Sequence, residues 1–198
     1  MKTQSLVGAV GAALLLTVAS QVFYITVVSG SENEMLRPLT WFTELFAFSA
    51  VSIFALALAA RRPDQSPLWA AIAVSGMLNL LQVGMGLSMF APAMEASESE
   101  PQLFAAILAG AFFLYFLAKL ILGAVAIALG SGIWRSGPVW AKGLGVLTAL
   151  AGLGAIGLNL LAMVDAKAWT FPAGGVGTVA TALVALSLLW AERARSTA

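Results

Sequence analysis

The chain has 198 residues, of which 61% are hydrophobic and only 10% charged, with a formal net charge of +1 at pH 7 and a mean hydropathy of +0.96. Soluble domains carry about a quarter of their residues as charges, so this composition excludes a water-soluble fold, and the balanced charge argues against a nucleic-acid partner or a polybasic lipid-binding tail. With no Cys and no His, thiol nucleophiles, disulfides, and histidine sites for metal or haem are excluded, and no cofactor is expected.

Six apolar stretches reach the roughly 20 helical residues needed to cross a hydrocarbon core, near 5–29, 38–60, 67–91, 103–133, 140–164 and 171–191. They predict an all-α, six-span membrane protein forming one transmembrane domain over 1–198. The first stretch also fits a secretory signal peptide: a basic start, an apolar run and a small-residue "VAS" that could be cleaved. Cleavage would leave five spans. The apolar run continues through "VFYITVV" to Val28, which favours an uncleaved helix.

The second stretch carries Glu44, with Ser49 and Ser52 below it, and the third opens on Pro67 and Trp69 and carries Asn79 and Gln82. The fourth holds Tyr115 and, in the middle of "FLYFLAKLILGAVAIAL", Lys119. A lysine left unpaired in hydrocarbon costs at least about 3 kcal/mol on insertion scales, so it should face a partner or a cavity. At 1.5 Å of rise per residue Glu44 and Gln82 lie within roughly 10 Å of the same membrane boundary. Lys119 leans toward that level, so a Glu44–Lys119 pair is within reach.

The fifth stretch carries Gly145, Gly152, Gly154, Gly157 and Asn159; like Gly84 and Gly86 in the third, its glycines read as close-packing faces. In the sixth, "AGGVGTVAT" resembles a dinucleotide fingerprint only superficially, because no strand precedes it. Asn159, Thr178 and Thr181 read as packing residues. The six tryptophans fall near span ends, where such rings settle at headgroup level. The acidic loops "SGSENE" and "MEASESE" lack calcium-loop spacing and read as solvated.

A shift of 71 residues brings Pro67 onto Pro138, Trp69 onto Trp140 and Gly86 onto Gly157, so the chain could be three related in-out-in α-hairpins. Lys2, Arg61, Arg62, Arg135, Lys142, Arg193 and Arg195 share one side and only Arg37 and Lys167 the other, which places both termini in the cytoplasm and the protein in the plasma (inner) membrane.

Glu44, Asn79, Gln82, Tyr115 and Lys119 are therefore the expected lining of an outward-facing pocket for a small anionic or zwitterionic ligand, in a transporter or substrate-binding membrane subunit. The alternative is a structural or assembly protein in which Glu44 and Lys119 hold helices together and the asparagines bond between helices. Intramembrane catalysis is the weakest reading, since no histidine base is present. The lipid bilayer is the certain partner, and self-association or a larger membrane complex is left open.

Overall fold

The structure, a computed structural model, describes residues 2–196. Helix α1 spans Thr3–Phe23 and runs on as a π-helical turn, Tyr24–Val28; α2 spans Leu36–Arg61, α3 Ser66–Glu95, α4 Pro101–Ser136, α5 Val139–Val164 and α6 Ala166–Ser196. Single 3₁₀ turns at Pro63–Gln65 and Ala96–Glu98 lie in two of the connections, and no strand is found among the described residues. All six helices are long and apolar enough to cross a membrane. The chain is an all-α, six-span integral membrane protein.

Local chemistry sets the helix limits. Proline stands in the first turn of α3 and of α4, where its missing N–H costs no helical bond. Arg62, ahead of Pro63, leaves helical geometry and ends α2. Arg61, Arg135, Arg193 and Arg195 fall in last turns, where a cation opposes the helix dipole. Short connections make successive helices alternate in direction, so these residues gather at one end of the bundle, here termed the basic end. Glu95, the last residue of α3, lies at the other, as do Glu32, Glu34, Glu98, Glu100 and Asp165 in the connections.

The successive pairs α1–α2, α3–α4 and α5–α6 each pack together, but their surroundings differ. α1, α2, α3, α4 and α6 close a ring in that order, α6 packing back on α1, while α5 touches only α4 and α6 and stands outside. Glycine explains how α5 is held. A Cβ on Gly152 would fall 2.5 Å from the Gly123 carbonyl oxygen, and one on Gly145 2.7 Å from that of Gly130. These two pairs, each seven residues apart on its helix, let the α4 and α5 backbones touch.

In the basic half the ring is filled by a core from all five of its helices, including Val10, Val51, Leu58, Ile72, Val125 and Val184. The 71-residue match does not carry over to surroundings: Trp69 is 1% exposed in this core, with its indole N–H unpartnered, whereas Trp140 is 72% exposed. Trp69 is thus a packing residue of the ring and not a headgroup anchor, because α3 belongs to the ring and α5 stands outside it. Arg62 closes the basic end with a two-pronged contact to Glu192 of α6, at 2.9 and 2.8 Å.

Candidate functional site

In the other half the ring opens into a cavity of about 460 Å³, within the size range of small-molecule sites. Each ring helix contributes residues one or two turns apart: Gln21, Tyr24 and Ile25 from α1; Trp41 and Glu44 from α2; Gln82 and Phe90 from α3; Leu108, Ala111, Phe112 and Tyr115 from α4; Lys167, Thr170, Phe171, Gly174 and Thr178 from α6. Nothing from α5 takes part. Tyr24 and Ile25 belong to the π-helical turn of α1, a distortion frequently found at functional sites. Pro172 within α6 withholds a backbone donor beside Phe171 and Gly174.

The walls are aromatic. Trp41 and Phe90 meet edge to face with ring centroids 5.7 Å apart, and Phe104 extends the chain of rings behind Phe90. Gly86 makes this possible, since a Cβ there would come within 3.3 Å of the Trp41 ring. The polar groups converge at the inner end, on Glu44, Gln82, Gln21 and Thr178. Lys167 is exposed at the mouth.

Lys119 lies beneath this floor, 2% exposed, and does not itself line the cavity. Its ammonium donates to Gln21 Oε1 and to Thr181 Oγ1, both at 3.1 Å, and sits 5.4 Å from the centroid of the Tyr115 ring, within cation–π range. Helices α1 and α4 do not pack on each other, so the Lys119 side chain crosses the ring interior to join them. A long side chain is what that crossing needs. Its stem runs past Gly177, where a Cβ would lie 3.1 Å from the lysine methylenes. Thr178 Oγ1 lies 2.9 Å from the same Gln21 oxygen and shares its one proton between it and the Gly174 carbonyl at 2.8 Å, so one amide oxygen gathers α1, α4 and α6.

Glu44, 7% exposed, opens into the cavity without an ion-pair partner among the described residues. Lys119 is near enough to act on its charge but is bonded elsewhere, and Ser20 stands beside the carboxyl without completing a hydrogen bond. The expected Glu44–Lys119 pair is therefore not formed as a contact, because Gln21 and Thr181 reach the ammonium first.

Of the five residues expected from sequence, Glu44, Gln82 and Tyr115 line the cavity and Lys119 supports its floor. Asn79 is apart, buried in α3 with Nδ2 bonded to the Ser75 carbonyl at 2.9 Å and Oδ1 unpartnered. Asn159 does the same with Ala155 in α5. Both amides thus bond within their own helix and not between helices, since a buried amide finds the carbonyl one turn back at hand. Thr178 and Thr181 do more than pack, since both belong to the Lys119 network. Sequence reasoning passes over Gln21. It is an amide inside an apolar span, like Gln82, but it directly follows the "VAS" that reads as a cleavage site, and so looks like a boundary.

A larger groove of about 810 Å³ at the basic end, between α3, α4 and α6, carries Asp64 and Arg195 only as exposed groups and offers no buried ionisable side chain. No group of three or more acidic residues is placed to hold a metal ion among the described residues.

These features define a polytopic α-helical membrane protein with a polar-floored, aromatic-walled cavity enclosed by five of its six helices. Comparison with protein-family models, with curated proteins and with solved structures finds no match to the chain.

Proposed function

We propose that this protein is a small-molecule transporter or substrate-binding membrane subunit, taking a polar ligand of no net charge, zwitterions included, into the five-helix cavity. The observation that carries this reading is Glu44, an ionisable side chain sunk among apolar helices, facing a cavity and lacking an ion-pair partner among the described residues. Ionisable groups at membrane depth are costly and mark ligand or ion pathways. With the Lys119 ammonium bonded to Gln21 and Thr181, the one basic side chain on the cavity wall is Lys167 at the mouth. That favours a ligand without a net negative charge over an anion. The excess of basic residues at the far end supports a cavity opening away from the cytoplasm, with both termini cytoplasmic, in a plasma (inner) membrane.

The test is a thermal-shift screen of small polar solutes on protein purified in detergent, followed by uptake into proteoliposomes for any that bind. Gly174→Leu is the control: a Cβ there meets only the Tyr115 hydroxyl, at 3.5 Å, so the substitution starts in ordinary contact and fills cavity space, and its own melting temperature checks that the fold is kept. A solute that raises the melting temperature of the native chain, but not of Gly174→Leu or Glu44→Gln, supports the reading. If no solute separates native protein from Gly174→Leu, while Glu44→Gln and Lys119→Met each destabilise and their double mutant recovers, the residues are structural and the proposal fails.

A further inference from the structure

The Gln21 amide has a fixed orientation. Its Oε1 accepts a hydrogen bond from the Lys119 ammonium and lies 2.9 Å from the Thr178 hydroxyl, whose one proton is shared with the Gly174 carbonyl, and an ammonium, which can only donate, could not be met by the amide NH₂. The oxygen therefore points down into the network, and the NH₂, which has no acceptor among the described residues, belongs to the cavity that Gln21 lines. A cation on the oxygen also polarises the amide, making those N–H groups stronger donors. On the same floor stands Glu44, 7% exposed and free of an ion pair among the described residues, and Gln82 lines the same cavity. Lys119 and Glu44 supply the floor with one basic and one acidic side chain. The walls above are the Trp41, Phe90 and Tyr115 rings.

From this arrangement we infer that the cavity recognises a flat, uncharged nitrogen-containing ring, with a hydrogen-bond acceptor set on Gln21 Nε2 and an adjacent donor set on Glu44, and that Lys119 is the positioning residue that holds Gln21 for it. The inference rests on the ligand-binding reading above and specifies its chemistry. A flat ring suits aromatic walls, and a neutral one adds no further buried charge to the floor. Paired donor and acceptor groups give strong discrimination, because a ligand lacking them leaves buried polar groups unsatisfied. This answers what a lysine does in the middle of α4: it reaches across the ring to set an amide on α1.

The experiment measures binding of five probes to purified protein by calorimetry and thermal shift: 2-aminopyrimidine and nicotinamide, which carry neighbouring donors and acceptors, and ethylbenzene, benzoate and phenyltrimethylammonium, which do not. The variant that decides is Gln21→Glu, which keeps an oxygen acceptor for Lys119 and Thr178 but removes the NH₂. Native protein is expected to bind 2-aminopyrimidine or nicotinamide at least tenfold more tightly than ethylbenzene, benzoate or phenyltrimethylammonium. Gln21→Glu is expected to keep or raise the melting temperature while losing at least tenfold in affinity for those two probes. Lys119→Met should lose affinity in the same direction, and Gly174→Leu should bind none of the five. Unchanged affinity in Gln21→Glu overturns the inference. So does tightest binding of ethylbenzene, of benzoate or of the quaternary ammonium, although binding sensitive to Gly174→Leu would leave the ligand-binding reading standing. If no probe binds, this recognition chemistry is wrong, and the wider solute screen alone decides whether the cavity takes a ligand.

Discussion

The two halves of the five-helix ring are built from the same helices but filled differently. In the basic half, aliphatic side chains from every ring helix meet with Leu58, Ile72 and Val184 wholly enclosed, and Arg62 and Glu192 close the end. In the other half the same helices spread around a cavity, and the polar groups they carry are spent on one another or left facing it. In lipid, helices gain little from burying apolar surface, since the acyl chains are as apolar as leucine; tight packing is what remains. The packed half is therefore expected to carry the stability, leaving the open half able to retain an unpaired carboxyl.

The largest effect should come from closing the glycine seam that supports both halves. Gly130→Leu places a branched side chain against the Gly145 carbonyl and Ala149 of α5. It should lower unfolding free energy by roughly 3 kcal/mol or more, read as the shift of a denaturation midpoint in detergent. Next, Leu58→Ala, in the packed half, should cost about 2 kcal/mol; a cavity is left, while the transfer contribution seen in water-soluble cores is largely absent. Arg62→Ala and Glu192→Ala should each cost about 1 kcal/mol, and a double-mutant cycle should show the effects to be shared, with the coupling weakening as salt is raised. Smallest of all on stability is Gln82→Leu, in the open half, within about 0.5 kcal/mol of native. Its consequence should be confined to ligand affinity. Were Gln82→Leu to destabilise as strongly as Leu58→Ala, the division of labour between the halves would be wrong.

The spans were legible because hydropathy and length determine them, and Glu44 and Lys119 because a charge in an apolar helix cannot be overlooked. The arrangement of the spans was not. Trp69 and Trp140 occupy matching places in the sequence, yet one is enclosed and the other exposed, because α3 belongs to the ring and α5 does not. That distinction is set by which glycines on α4 meet which on α5, a pairing between helices that a single strand of letters does not contain. The same holds for Lys119. Its likeliest partner by charge is Glu44, but its partners by position are Gln21 and Thr181, which depend on α1 and α6 closing the ring around α4. Gln21 itself was hidden by its position at the close of a credible leader sequence.

Placing α5 outside the ring also has an electrostatic consequence. Helices alternate in direction along the chain, so removing the fifth from the circle makes α4 and α6 parallel neighbours in an otherwise antiparallel set. Both begin at the cavity mouth, and each helix start carries roughly half a positive elementary charge from its aligned peptide dipoles. Across from them α1 and α3 end there, with the opposite sign, and α2 begins between them. The mouth is thus polarised from one side to the other by backbone alone, and a dipolar molecule entering it would be turned before it touched a side chain.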